Sequence, residues 1–255
     1  MDALDALVHD LSQLGVRQGG VLLVHAALRP FAHVAGGAEQ LIQALLAQLG
    51  VHGTLLMPAL SYESVGAWQT VFDVRQTPSC VGQLSEFFRL RQGTLRSLHP
   101  THSVCGLGKQ AEAILHDHHL DVSPCGAHSA FAKLPHYQGQ ILFLGCGLRP
   151  NTSMHAIEEW SEPPYLFADW VDFQLLDAQG VPHTARIRCH DFQGWEQRYE
   201  RLADVLSEPA LRQGNFAGVA CHLVESQPMW QAVHATLQTH PLYFVDRISG
   251  AEQSP

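Results

Sequence analysis

Short apolar runs alternate with segments of helical periodicity in the N-terminal half, and this alternation most constrains the fold. The apolar runs at residues 21–25, 54–57 and 141–147 are typical of buried strands, and Pro58 ends the second run. Amphipathic helices are predicted over residues 3–15, 36–49, 81–90 and 109–116. Strands that alternate with helices predict a parallel sheet whose faces are covered by those helices.

The C-terminal half has a different pattern. Residues 165–176 and 181–189 are rich in strand-forming residues, and the four residues between them predict a hairpin turn in which Gly180 adopts a positive φ. Further helices are predicted over 195–206 and 228–238, and a short strand over 242–245. We therefore expect one α/β domain over residues 1–255. It has a mixed, largely parallel central sheet flanked by helices, an antiparallel β addition in the C-terminal half, and a flexible tail at 247–255.

Composition limits the possible partners. A chain of 255 residues that is 46% hydrophobic can bury one large core, and its formal net charge of −9 argues against nucleic acid or an anionic membrane as a partner. The same charge is compatible with a cationic substrate. The N-terminus is acidic and lacks a signal-peptide pattern, no apolar run has membrane-spanning length, and the six cysteines form no Cys-x-x-Cys, so we expect a cytoplasmic protein. Either a monomer or a homodimer is expected, and the sequence does not distinguish them.

The stretch after the third apolar run carries the clearest chemical signal. Residues 151–159 read Asn-Thr-Ser-Met-His-Ala-Ile-Glu-Glu, which predicts a helix that begins just beyond a strand. His155 and Glu158 are three residues apart and therefore share a helix face. A carboxylate that holds one imidazole nitrogen leaves the other free to take a proton, which is the arrangement of an oriented general base. Open α/β sheets place their ligands where strands end and helices begin.

A metal site is not predicted. The sequence has 17 histidines, and the densest group, His116 with His118 and His119, resembles a polar helix end in which the side chains point in different directions. No His-Glu-x-x-His motif is present. We therefore expect neither a structural nor a catalytic metal.

Two loops could contact a cofactor. In the first, the strand ending at His25 is followed by a loop in which Gly36 and Gly37 open a helix, a position where backbone amides favour an anion. In the second, residues 96–103 combine hydroxyls and imidazoles with Arg96, which could clamp a phosphate. Plain turns would explain both loops equally well. Neither a dinucleotide fingerprint nor a Walker motif is present.

The order of these motifs resembles that of the antibiotic N-acetyltransferases of the aminoglycoside 3-N-acetyltransferase type. The resemblance covers nearly the whole chain. The segments that carry it are 22–25, 34–38, 53–60, 72–73, 77–78, Gly82 with 85–89, 96–103, 126–129, 142–147 and 151–159.

The resemblance implies that an acetyl group passes from acetyl-CoA to an amine. It implies that His155 of a Thr-x-x-His-x-x-Glu segment is the general base, that Glu158 holds it, and that Thr152 or a backbone N–H stabilises the thioester oxygen. Two sets of residues would then bind the co-substrate. Those along the pantetheine arm are His25, Ala26, Ala27, Leu28, Val34, Gly36 and Gly37; those at the nucleotide end and in the cleft are Arg96, His99, Thr101 and Ser103.

The acceptor would be a small cationic amine, whose site needs carboxylates. The predicted acceptor residues are Tyr62, Glu159, Asp169 and Asp172. The chain departs from the family at Ala26 and Ala27, where a hydroxyl pair is usual, and at Ala130, where Pro usually follows the serine. Three other functions remain open: the same chemistry on an amino sugar or aminophosphonate, a non-catalytic ligand-binding module, and a metal-dependent hydrolase.

Overall fold

The structure is a computed structural model and describes residues 2–248. The helices are α1 (Ala3–Leu14), α2 (Gly37–Leu49), α3 (Gln83–Leu90), α4 (Ala111–Leu115), α5 (Ala130–Lys133), α6 (Ser153–Ser161), α7 (Leu202–Val205) and α8 (Ser226–Thr239). The strands are β1 (Val21–Ala26), β2 (Thr54–Pro58), β3 (Val71–Asp73), β4 (Leu95–Arg96), β5 (Val104–Gly108), β6 (Gln140–Leu144), β7 (Phe167–Leu176), β8 (Pro182–His190), β9 (Trp195–Gln197), β10 (Leu211–Phe216), β11 (Val219–Glu225) and β12 (Val245–Arg247).

The central sheet has the strand order β10-β11-β6-β1-β2-β5-β4. Parallel pairing is confined to β6, β1 and β2, and the strands on either side join in antiparallel fashion. The predicted mixed α/β class, with a sheet between helices, is confirmed, but the sheet is not largely parallel as expected, since two of its six strand pairs are parallel and four are antiparallel. The β7–β8 hairpin pairs with β3 in a separate three-stranded sheet, which is the predicted β addition. Gly180 adopts φ +81° in its turn, as expected.

Successive apolar side chains of the central strands point to opposite faces of the sheet, and a hydrophobic core lies on each face. Leu22, Val24 and Leu142 pack on one side with residues of α1, α2 and α3. Leu23 and Phe143 point to the opposite side and pack with residues of α4, α5, α6 and α8. Since successive strand side chains face opposite ways, a continuous apolar run is what a strand covered on both faces requires. The sheet is therefore held rigidly between two helical layers.

One predicted helix is wrong, and one hairpin was not predicted. Residues 195–206 form strand β9, a short 3-10 turn at Tyr199–Arg201 and then helix α7, because β9 pairs with β12. The apolar spacing of this segment fits a helix equally well. The β10–β11 hairpin, which turns at Ala217 and Gly218 with positive φ, extends the central sheet along β6.

The last predicted strand and the predicted tail are shifted. The strand begins at Val245 rather than at residue 242 and ends at Arg247. Of the predicted tail, residues 249–255 lie outside the described part of the chain. Over residues 2–248, every helix is too short or too polar to cross a bilayer.

Candidate active site

The carboxyl ends of β1 and β6 position the site. These strands are parallel neighbours, and their last residues, Ala26 of β1 and Leu144 of β6, are paired. Beyond β6 the chain turns sharply, with Gly145 and Gly147 at φ +65° and +64°, and enters helix α6 after Thr152. A side chain at the first glycine would press against Pro30 and Phe31. The turn thus aims the first residues of α6 into the cleft at the ends of the strands.

A cavity of about 1100 Å³ opens at this edge of the sheet. Its wall includes the end of β1, the start of α6 and the end of the β8 strand, from which His25, His155 and His190 line it. This volume lies just above the upper end of the range of about 300–1,000 Å³ that is typical of ligand pockets. The cavity therefore has room for two reacting molecules close to His155.

His155 and Glu158 are brought together as the sequence spacing predicts. Nδ1 of His155 lies 3.0 Å from Oε2 of Glu158, whose side chain is fully buried. The Tyr165 hydroxyl donates to Oε1 of Glu158 at 2.8 Å, and the Tyr199 hydroxyl donates to Oε2 at 2.7 Å. Burial and the neighbouring carboxylate raise the pKa of both phenols well above the usual value, so both remain donors.

This network fixes the tautomer of His155. The hydroxyl oxygen of Tyr199 lies 2.9 Å from Nδ1 and, having donated its proton to Glu158, can only accept. Because both neighbours of Nδ1 are acceptors, we assign the ring proton to Nδ1. Nε2 then keeps its lone pair, and His155 lines the cavity. The arrangement can accept a proton from a molecule bound there and stabilise the imidazolium that results.

Thr152 lies one turn before His155. It is the N-terminal cap of α6, yet its side chain makes no capping hydrogen bond, and the residue lines the cavity. Its backbone carbonyl accepts from the His155 amide at 3.1 Å. The amides of Ser153, Met154 and His155 all donate to acceptors within this turn, so the Thr152 hydroxyl is the donor left at the start of α6 for a negatively charged oxygen in the cavity.

Glu159 does not contribute to the cavity wall, which corrects the predicted role in acceptor binding. It is almost fully buried and accepts hydrogen bonds from the Ser123 hydroxyl at 2.5 Å, the Cys125 amide at 2.7 Å and Nε2 of His190 at 2.7 Å. Desolvation raises its pKa to about 7. Its carboxylate thus orients His190 and anchors the loop before α5.

Arg96 and its neighbours lie beneath the cavity rather than along it. The Arg96 guanidinium donates to Ser103 Oγ and to the backbone carbonyls of Val74, Thr77 and Ala59. Burial lowers its pKa to about 10. Since its donors are used inside the protein, the predicted phosphate clamp is corrected to a structural role.

His99 and Ser103 share this supporting position. Both are fully buried, and Nδ1 of His99 accepts from the His102 amide at 3.0 Å. Thr101 alone of the four predicted nucleotide-end residues lines the cavity, where its Oγ1 lies 3.0 Å from Nδ1 of His102. The polar segment is thus mostly a hydrogen-bonded scaffold for one side of the site.

The pantetheine-loop residues divide into two groups. His25 and Ala26 line the cavity. Those that follow the strand without lining the cavity are Ala27, Leu28, Val34, Gly36 and Gly37. The Ala27 amide is already bonded to the Leu144 carbonyl at 3.0 Å, so it is not available to a ligand.

The acceptor residues are also divided. Tyr62 and Asp169 line the cavity, and both are exposed there. Asp172 does not line it; its exposed carboxylate lies 3.7 Å from Arg186 on the hairpin surface, which corrects its predicted role. Asp191, which was not predicted, supplies a second carboxylate to the wall. Among the described residues, the acidic side of the cavity therefore consists of Asp169 and Asp191.

Residues that the sequence analysis missed come mainly from the hairpin and the loop after it. His190 ends β8, and Phe192, at φ +52°, holds its ring 5.1 Å from that of His155. His102 and His190 lie with ring centroids 5.3 Å apart, and burial lowers the pKa of each well below its usual value. No spacing in the sequence connects these residues to His155, since they approach it only through the folded sheet.

The family model described as "Aminoglycoside 3-N-acetyltransferase" matches residues 23–238. The chain belongs to this family. The match includes the ends of β1 and β6, the whole of α6 and the hairpin, which are the elements that build the cavity. The resemblance proposed from the motifs is thus confirmed, together with the acyltransferase class and acetyl-CoA as co-substrate.

Named relatives and solved structures agree with this assignment. The chain is 37% identical over 161 residues to an aminoglycoside N(3)-acetyltransferase IV from a Salmonella species, covering 62% of this chain and 59% of that protein. It is 28% identical to aminoglycoside N(3)-acetyltransferase IX of Micromonospora chalcea, covering 87% and 88%.

Two solved structures were determined with bound ligands. One is a mutant of aminoglycoside acetyltransferase AAC(3)-IVa in complex with a gentamicin, with a TM-score of 0.80 and 29% identity over 93% of this chain and 89% of that one. The other is an AAC-IIIb binary structure with CoASH, with a TM-score of 0.80 and 25% identity over 92% and 96%.

Proposed function

We propose that this protein transfers the acetyl group of acetyl-CoA to the 3-amino group of an aminoglycoside, with His155 as the general base. The observation that carries the proposal is the fixed tautomer of His155, whose Nδ1 is held by buried Glu158 while the ring borders the cavity. Family membership supplies the class of donor and acceptor. The net charge of −9 favours a polycationic acceptor.

The chemistry requires an unprotonated amine. At neutral pH an aliphatic amine is mostly protonated, so it must first lose one proton to water before its nitrogen can attack. The nitrogen then forms a bond to the thioester carbonyl carbon, and the carbonyl electron pair moves onto oxygen. Nε2 of His155 takes the second proton from this nitrogen, while Glu158 and Tyr199 stabilise the imidazolium through Nδ1. This step supplies about 10²–10⁴-fold of the rate acceleration.

Collapse of the tetrahedral intermediate completes the transfer. The oxygen lone pair re-forms the carbonyl, the carbon–sulfur bond breaks, and the proton held by His155 passes to the departing thiolate to give CoASH and the N-acetyl product. The Thr152 hydroxyl would donate to the oxyanion, which its position on the cavity wall at the start of α6 supports. Holding both substrates in the cavity supplies much of the remaining acceleration.

Binding would use opposite parts of the cavity. The acceptor amines would face Asp169 and Asp191, with Tyr62 beside them. The pantetheine arm would enter past Ala26 and Cys146, where the wall is small and weakly polar, and continue over the loop toward Gly37. With alanine at 26 and 27, this grip would depend on backbone groups and apolar contact rather than on hydroxyls.

A thiol-release assay tests the proposal. Purified protein is mixed with acetyl-CoA and aminoglycosides that carry a 2-deoxystreptamine ring, and the product is analysed by mass spectrometry and by NMR to locate the acetyl group. We expect one added acetyl at the 3-amino group. His52→Ala, an exposed turn residue at the far end of β2, is the matched control and should retain full activity. No thiol release with any aminoglycoside, or acetylation at another nitrogen, would contradict the proposed acceptor.

A further inference from the structure

Three histidines from separate parts of the chain converge at the cavity. His102 lies in the loop between β4 and β5, His155 in the first turn of α6, and His190 at the end of β8. One nitrogen from each lies within 4.8 Å of the nitrogens from the other two. Three imidazole nitrogens this close together can share one ligand if each ring still has a free nitrogen.

Each of the three rings already uses one nitrogen within the protein. Nδ1 of His102 lies 3.0 Å from the hydroxyl of Thr101. Nδ1 of His155 is held by Glu158 at 3.0 Å, and Nε2 of His190 by the carboxylate of Glu159 at 2.7 Å. Metal-ligating histidines almost always have their second nitrogen fixed by a carboxylate or another acceptor in this way.

The nitrogens that remain are suited to a ligand. Nδ1 of His190 is buried and has no hydrogen-bond partner among the described residues, which is costly unless something binds there. Behind the rings, the carboxyl groups of Glu158 and Glu159 contact His155 and His190, and their oxygens would favour a cation.

We propose that His102, His155 and His190 form a binding site for a divalent transition metal of the zinc type, with a fourth position open to the cavity. Three imidazole nitrogens and an open position match the donor set and geometry that zinc adopts. Magnesium and calcium prefer oxygen ligands and do not fit. A tetrahedral zinc holds its nitrogen ligands about 3.4 Å apart, so the rings close slightly around the ion.

The site has a regulatory consequence that rests on the proposed function. The metal would occupy the Nε2 lone pair of His155, which is the same lone pair that the general base uses to accept a proton. Zinc and acetyl transfer through His155 are therefore mutually exclusive, and zinc should inhibit the enzyme reversibly. The metal site itself is independent of this consequence, because it depends only on the three rings and the groups that hold them.

Direct metal binding is the first test. The full-length protein is stripped with a chelator, dialysed, and titrated with Zn²⁺ by calorimetry and with Co²⁺ by visible absorption. We expect one high-affinity ion per chain and the intense absorption of tetrahedral Co²⁺. His190→Ala and, separately, His102→Gln should weaken binding by about 100-fold or more. These measurements need neither acetyl-CoA nor an amine, so their outcome is separate from that of the proposed acetyl transfer.

The matched control is the exposed pair His116 and His119, whose ring centroids are 6.1 Å apart. Replacing both with alanine should leave the high-affinity site unchanged. Circular dichroism tests whether each variant is folded. The Co²⁺ spectrum of the wild type reports the geometry of the site even if a variant fails to fold. An octahedral Co²⁺ spectrum, wild-type zinc affinity in both site variants, or loss of binding only in the His116 and His119 double variant would overturn the proposal.

Inhibition is the second test. Zinc should abolish acetyl transfer by the wild type at the concentration at which it binds, and a chelator should restore the activity. The residual activity of His190→Ala should be insensitive to that concentration. Zinc that binds at the three histidines without lowering the rate would overturn the regulatory consequence.

Discussion

The imidazole of His155 and the carboxylate of Glu158 form a 3.0 Å contact on one face of α6, and the carboxylate is fully buried. Two tyrosine hydroxyls saturate the rest of the carboxylate, so it cannot turn away from the ring. A neutral imidazole held in this manner keeps one tautomer and one orientation. The predictions below follow from this contact and from the groups that support it.

Replacing the Glu158 carboxylate with a neutral amide should slow the acetyl-transfer step. Glu158→Gln keeps the side-chain volume but removes the charge that stabilises the imidazolium, and we expect kcat to fall by about 100-fold while the KM for acetyl-CoA changes little. Steady-state thiol release measures both parameters. Glu162→Gln, at the exposed C-terminal end of the same helix, is the control and should behave like the wild type. Equal kcat values for the two variants would show that Glu158 does not assist the base.

Removing one tyrosine hydroxyl should have a smaller effect. Tyr199→Phe removes the group that contacts both Nδ1 of His155 and Oε2 of Glu158. We expect kcat to fall by about tenfold, and the free energy of unfolding to fall by about 2 kcal/mol because two hydrogen bonds of the buried hydroxyl are lost. Tyr243→Phe, whose hydroxyl is exposed, is the control. Unchanged kinetics in Tyr199→Phe would mean that Glu158 alone orients the ring.

The structural role of Arg96 can be separated from a role in phosphate binding. Arg96→Met leaves buried carbonyls without donors, so the free energy of unfolding should fall by about 3 kcal/mol. The KM for acetyl-CoA should stay within about twofold of the wild-type value, since KM follows the loss of substrate contacts. Chemical denaturation and kinetics measure the two effects, and exposed Arg75→Met should change the free energy of unfolding by less than about 0.5 kcal/mol. A raised KM with unchanged stability would restore the phosphate-clamp prediction.

Buried His118 should make the protein less stable in acid. Its Nδ1 lies 2.9 Å from Ser97 Oγ and its Nε2 3.2 Å from the Pro124 carbonyl, and desolvation lowers its pKa to about 3. Below pH 6.5, the ordinary pKa of histidine, the unfolded chain binds a proton that the folded protein does not, so stability falls as the pH falls toward 3.

The measurement is urea denaturation at about pH 7.5 and about pH 5. This site should contribute a loss of about 2 kcal/mol between the two conditions. His118→Gln lacks the titrating group, so its stability should decline less than that of the wild type by this amount. His119→Gln, an exposed neighbour, should decline as the wild type does. If His118→Gln and the wild type lose stability equally, His118 is not the neutral buried group described here.

The sequence predicts the parts of the fold and site that depend on local periodicity. The i, i+3 spacing of His155 and Glu158 sets their contact, and the apolar runs at β1, β2 and β6 locate the centre of the sheet. The pattern cannot distinguish parallel from antiparallel neighbours, because a strand buried on both faces is apolar in either case. For this reason the antiparallel strands on both sides of the central three were not predicted.

The remaining site residues depend on long-range contacts. His190 and Asp191 line the cavity at the end of the β7–β8 hairpin, which belongs to a separate sheet, and no local signal gives that placement. Arg96 is in a polar segment that resembles a surface loop, yet its carbonyl partners are distant in sequence. Polar composition indicates that a segment needs hydrogen bonds, and only the folded chain shows whether a ligand or the protein supplies them.

The most direct test of the account is the acetyl-transfer rate of His155→Ala beside that of the wild type, at saturating acetyl-CoA and aminoglycoside. Acetyl-CoA binding, measured by calorimetry, establishes that the variant is folded and loaded. The account predicts that kcat falls by about 10²–10⁴-fold while acetyl-CoA affinity is retained. A His155→Ala protein that acetylates the aminoglycoside within about tenfold of the wild-type rate would contradict the assignment of His155 as the base.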